Sequence, residues 1–90
     1  MAKKYIKKPI PVEAIQITRE NLNAIYKFVD NSGRIISEDK VIIHTLDGSI
    51  AAHLGDYIIK GVKGEFYPCR KDIFEETYVE HPETNQKTYV

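Results

Sequence analysis

The sequence predicts an α+β fold: a small curled sheet, antiparallel or mixed, of about five strands in a half-barrel-like form, with one main helix and a short C-terminal helix. Three observations predict it. Leu22, Ile25, Tyr26 and Val29 recur at i, i+3, i+4 and i+7, the spacing of an amphipathic helix. Asp47-Gly48 lies between two runs of alternating apolar residues, 41–46 and 49–54, which is a strong hairpin signal. Short aromatic and β-branched runs punctuated by Gly55, Gly61, Gly64 and Pro68 follow, and then Asp72, Ile73, Phe74 and Glu75 carry a variant of the capping-box spacing.

Taken in order, residues 1–4 and 82–90 are expected to be flexible tails of a single domain spanning 1–90. Tyr5-Ile6 is expected to be tied down by the first strand. Pro9 and Pro11 suit a sheet edge or the start of a strand. In residues 10–17 Glu13, Ile15 and Ile17 share one face and Val12 and Ala14 the other, as in a strand partly covered on both sides. Thr18 is read as the cap of the main helix, Glu20 as an acid in its first turn and Gly33 as its stop. Residues 34–37 form a short strand and 38–40 a turn.

In the hairpin, a two-residue Asp47-Gly48 loop pairs Leu46 with Ser49, His44 with Ala51 and Ile42 with His53. Val41, Ile43, Thr45, Ile50, Ala52 and Leu54 then face the core, and His44 and His53 share the wet face. Gly55-Asp56 is a turn, because glycine accepts positive φ without steric cost. Residues 57–62 read as a strand, with Gly61 marking a bulge or a close backbone approach. Lys63-Gly64 turns the chain into residues 65–67, and Pro68, lacking an N–H, is expected to end the ladder. Phe74 and Tyr78 fall on one face of the last helix, and residues 78–80 add an edge strand.

Composition narrows the function classes. Thirteen basic and thirteen acidic residues give a net charge of zero, which argues against a general DNA-coating protein. The single Cys69 has no intramolecular disulfide partner, so a reducing cytoplasm is expected. No apolar run approaches the ~20 residues of a membrane span, and Lys3, Lys4, Lys7 and Lys8 are not followed by the apolar segment of a signal peptide. Those four lysines can steer an acidic partner, although a solubilising terminus is the plainer reading.

Candidate chemistry is sparse. His44 and His53 are expected as diagonal neighbours on the hairpin, but a metal needs more ligands than two, and no metal or other cofactor is expected. Cys69 precedes Arg70 and Lys71, yet no histidine stands at a catalytic spacing, so no catalytic residue is assigned. The best binding candidates are Lys60, Lys63, Arg70 and Lys71, interleaved with Tyr57, Glu65, Phe66 and Tyr67. Cations among aromatics suit phosphate contact plus base stacking. The competing reading has the aromatics facing inward, the lysines outward, and Glu65 in an ordinary solvated ion pair. Gly61 and Gly64 do not make a phosphate loop.

The run Gly-Asp-Tyr-Ile-Ile-Lys-Gly-Val-Lys-Gly-Glu-Phe-Tyr-Pro-Cys-Arg-Lys-Asp-Ile-Phe, residues 55–74, resembles a small protein family widespread in bacteriophages and prophages. That family has a Pro-Gly-Asp-Tyr/Trp turn, a Lys-Gly-Glu-Phe-Tyr-Pro-Cys segment and an Asp-Ile-Phe helix start. Its N-terminal signature is similar to Lys8-Pro9-Ile10-Pro11-Val12-Glu13-Ala14-Ile15-Gln16 here. The resemblance covers most of residues 3–80. It departs at Leu54, where the family more often has proline and the turn is stiffer, and at Ile17, where an aromatic is common. It implies a phage setting and an accessory role, so that the reducing cytoplasm expected from Cys69 is a host cell's, but no settled activity.

Four functions compete. The first is a non-enzymatic phage accessory protein that binds a host protein through residues 55–74 and the exposed face carrying His44 and His53, with inhibition of a host defence system as the natural use. The second is capture of a small phosphorylated ligand or nucleotide by Lys60, Lys63 and Arg70. The third, single-stranded nucleic-acid binding on the sheet, is disfavoured by the zero net charge, and the fourth, an enzyme using Cys69, by the missing base. A homodimer through an exposed strand edge is compatible with any of them.

Overall fold

A computed structural model describes residues 1–6 and 8–80. The chain order is β1 (Glu13–Gln16), α1 (Leu22–Val29), a 3-10 turn (Asp30–Ser32), β2 (Gly33–Ser37), β3 (Lys40–Thr45), β4 (Gly48–His53), β5 (Tyr57–Lys60), β6 (Phe66–Cys69) and α2 (Lys71–Thr77). The fold is α+β, as expected. Its strands divide into two three-stranded antiparallel sheets, ordered β1-β5-β6 and β2-β3-β4, where one sheet was anticipated. Pro68 gives a reason for the division. It lies within β6, opposite Ile58, rather than ending the ladder. An edge strand tolerates the missing N–H, and the sheet stops there.

α1 starts later than the Thr18 cap predicts. The residue before it is Asn21, whose Oδ1 accepts the Thr18 backbone N–H at 2.9 Å while its Nδ2 donates to the Gln16 carbonyl at 2.7 Å. These bonds hold the turn between β1 and α1, so Thr18 and Glu20 precede the helix. The helix ends at Val29, and Asp30 takes the left-handed φ of 53° while donating its N–H to the Tyr26 carbonyl. Gly33 is not the stop. It is extended and opens β2, where a side chain would press on the Ile42 carbonyl and on Val29, each 3.0 Å from its Cβ.

The β3–β4 hairpin forms with its faces as expected but in a different register. Thr45 pairs with Gly48, His44 with Ser49, Ile43 with Ile50 and Lys40 with His53. The loop is therefore Leu46-Asp47. Among the described residues only Asp30 and glycines have positive φ, so Asp47 cannot take the primed turn that an Asp-Gly loop requires. Gly48, at φ 117°, supplies the left-handed residue after the turn instead. Thr45 Oγ1 closes it, accepting the Asp47 N–H and donating to the Gly48 carbonyl. The slip is two residues, which keeps every side chain on its face.

The main core joins the two sheets and α1. Ile17, Ile25, Val29, Val41, Ile43, Ala52, Ile58 and Phe66 are buried together, with Ile15, Leu22, Phe28 and Ile35 packed around them. Ile50 and Leu54, expected in the core, are 43% and 39% exposed. Ile50 sits toward the turn and Leu54 beyond the end of β4. Tyr5 and Ile6 lie outside β1 and in solvent, so the first strand does not hold them. Residues 78–80 form no strand. The expected tail 82–90 lies outside the described residues.

Candidate functional site

The β1-β5-β6 sheet is covered on both faces, and that is what builds the site. Opposed residues of an antiparallel pair share a face. Ile58 and Phe66 therefore point with Ile15 into the main core, while Tyr57, Ile59, Tyr67 and Cys69 point the other way. On that second face Ile59 is 1% exposed yet lies outside the main cluster. Its cover is α2. Phe74 stacks on Tyr57 at 3.8 Å between ring centroids, and Tyr78 stacks on Phe74 at 4.8 Å.

This aromatic ladder forms one wall of an open groove of about 920 Å³. The opposite side is the extended segment from Pro9 to Ala14, and Phe28 and Val79 complete the apolar lining. Three carboxylates, Glu13, Glu75 and Glu80, also line it, and among the described residues no lysine or arginine does. Ile10 and Val79 remain 55% and 90% exposed. A smaller groove of about 310 Å³ lies between the β3–β4 turn and the start of β6, lined by Leu46, Asp47, Glu65 and Tyr67 among others.

The sequence-predicted residues scatter around this geometry. Tyr57 is half-buried in the groove wall. Tyr67 is half-buried on the same sheet face, hydrogen-bonded to Tyr78, and burial followed by that bond pushes its phenol up to about 12. Lys60 projects with Phe66, its Nζ 5.8 Å from the ring centroid, so cation and aromatic share a face here rather than alternating. Lys63 is exposed in the following turn. Glu65 folds onto that turn: its carboxylate accepts the Lys63 N–H at 3.0 Å and lies where a side chain at Gly61 would be. The approach expected at Gly61 was one of backbone; the one found is by the Glu65 side chain, which serves the turn instead of a lysine.

Arg70 and Lys71 sit at the far end of the β5–β6 hairpin from Lys60 and Lys63. Both are engaged, Arg70 with Asp72 at 2.7 Å and Lys71 with Glu75 at 3.3 Å. The Arg70 guanidinium beside Asp72 holds that carboxyl below its ordinary range. The four cations therefore do not converge, and none lines either groove.

His44 and His53 share the wet face but are not neighbours. The observed register places them four positions apart along the ladder, roughly 13 Å. His44 Nδ1 lies 2.9 Å from Ser49 Oγ, and the His53 backbone N–H is held by Asp56. Among the described residues no group of three or more His, Cys, Asp or Glu is placed to hold a metal ion. The Cys69 thiol is pushed up by burial, and further by Asp56 and Asp72, which works against a thiolate nucleophile. No helix among the described residues is long and apolar enough to cross a membrane.

Sequence reasoning found the Phe74–Tyr78 pair but missed that Tyr57 joins it, and missed Ile10, Phe28 and the acidic rim. One signal was present: period-two alternation leaves Tyr57, Ile59 and Tyr67 on a face needing a cover, and the nearest amphipathic element is α2. Set against protein-family models, curated proteins and solved structures, the chain matches none of them.

Proposed function

We propose that this protein is a non-enzymatic accessory protein of a bacteriophage or prophage that binds a host protein through the groove beneath α2. The observation that carries the reading is the groove itself, whose aromatic ladder is stacked in place before any partner arrives. Preformed aromatic surface with apolar neighbours left in water is the usual anchor of a protein interface. The phage setting rests on the resemblance of residues 55–74 and the cytoplasmic location on the single Cys69, and interference with a host defence system is the use that fits them. Capture of a phosphorylated ligand has weaker support, because Lys60, Lys63 and Arg70 lie apart and outside the groove.

The test is affinity purification of tagged protein from infected cells followed by native mass spectrometry, comparing the wild type with Val79→Asp. Val79 is 90% exposed, so the variant keeps its fold. A host protein that accompanies the wild type and falls at least tenfold with Val79→Asp supports the reading, tenfold being about 1.4 kcal/mol at one contact. A small bound mass without a protein partner overturns it in favour of ligand capture.

A further inference from the structure

We propose that two copies of this chain exchange their N-terminal arms, residues 1–8 of each copy lying in the groove of the other. The inference goes beyond host binding and does not depend on it.

The arm and the groove are complementary in two respects. Lys3, Lys4, Lys7 and Lys8 make half of the arm basic, while the described residues lining the groove include Glu13 and Glu80, which make no ion pair among the described residues, and Glu75, which Lys71 already holds, with no cation among them. The chain as a whole carries no net charge, so this separation is local. Between the lysines stand Tyr5 and Ile6, 87% and 94% exposed. These are large apolar side chains left in water, and residues 1–6 have no secondary structure. The groove offers them the Tyr57–Phe74–Tyr78 ladder, on which a tyrosine stacks and a lysine finds an aromatic face.

The connection favours exchange. The arm begins at the rim of its own groove, since Pro9, Ile10 and Pro11 line that rim. The Ile10 N–H bonds the Lys8 carbonyl at 2.8 Å, a tight turn around Pro9 at the base of the arm. In a two-fold dimer the two rims adjoin, and eight extended residues reach roughly 26 Å, enough to cross into the neighbouring groove. β1 is an edge strand with one side unpaired and lines the same groove, so an extended arm also finds backbone partners there. Exchange fills both grooves, and a host protein then competes with the arms for the ladder.

The experiment is sedimentation equilibrium of the purified full chain over a range of concentrations, beside three variants: deletion of residues 1–8, Glu13→Lys with Glu80→Lys, and that pair combined with Lys3→Glu and Lys4→Glu. Circular dichroism checks that each is folded. The wild type is expected to be a dimer and the deletion a folded monomer. The two-carboxylate variant is expected to dissociate about tenfold more readily, as two rim ion pairs are lost in each groove, and the combined charge swap to recover most of that loss. A wild type that stays monomeric at every concentration overturns the proposal. So does a dimer that survives the deletion, which places the interface elsewhere. A monomer whose Tyr5 is shielded from solvent also overturns it, because the arm then occupies its own groove. None of these measurements involves a host protein, so failure of arm exchange leaves the host-binding test standing.

Discussion

Tyr67 is where acidity and structure are most tightly joined. Its folded-state phenol titrates near 12, against the ordinary 10.0 of an unfolded chain, because burial and the bond to Tyr78 both favour the protonated form. The stability this contributes is present in full below the unfolded value. Between those two values the unfolded state gives up a proton that the folded state keeps, and the contribution drains away as pH rises through the folded value. The expected outcome is a wild-type denaturation midpoint that falls over this alkaline window, and a Tyr67→Phe variant in which the fall is shallower. Phenolate absorbance should show one late-titrating tyrosine that the substitution removes; if all tyrosines titrate together near the ordinary value, the account is wrong. The same scale shows why the helix cap was misread. Thr18 and Asn21 are both competent caps by residue type. What decides between them is that the Asn21 amide reaches back to Thr18 and Gln16, and those bonds hold the chain in a turn until Leu22.

α2 has seven residues, too few to stand alone in water. Its place depends on Phe74, the middle rung between Tyr57 and Tyr78. Phe74→Ala removes both stacking contacts, and the loss should be about 2 kcal/mol, less than for a fully buried phenylalanine. Urea denaturation measures the total. Amide hydrogen exchange should show α2 opening on its own while β3 and β4 stay protected, and uniform exchange across the chain would contradict this. Elements of this kind were legible where local chemistry determines them. The existence of α1, of the β3–β4 hairpin and of α2 follows from periodicity, and the hairpin faces from alternation. The hairpin register was not legible, because Asp47-Gly48 is compatible with two turns. The choice rests on Thr45 Oγ1 closing the loop and on Asp47 keeping a negative φ.

At the scale of the whole molecule, the core was legible and the site was not, and the difference is one of distance along the chain. Ile25 and Val29 follow from helical spacing, and Val41, Ile43 and Ala52 from alternation. The groove draws on residues 9–14, Phe28, Tyr57 and 74–80, and no local pattern joins those segments. The division into two sheets was hidden for the same reason, since β6 packs against β3 and β4 without pairing to them. That division raises a question of cooperativity, because two sheets without shared hydrogen bonds can in principle unfold separately. The burial pattern answers it. Ile58 from one sheet and Ile43 from the other are both 0% exposed within a single cluster that also contains Ile25 and Val29 of α1. Neither sheet keeps an apolar face covered if the other leaves. Ile43→Val and Ile58→Val should therefore each remove about 1 kcal/mol and lower one common transition by roughly 4–8 °C, whichever sheet is altered. The transition is to be followed by the amide NMR signals of β5 in the first sheet and of β3 and β4 in the second. Coincident midpoints for both probes in both variants mean that the core between the sheets is the cooperative unit. A variant that shifts only the probe in its own sheet would mean that each sheet carries its own stability, and the core would then be an interface rather than a centre.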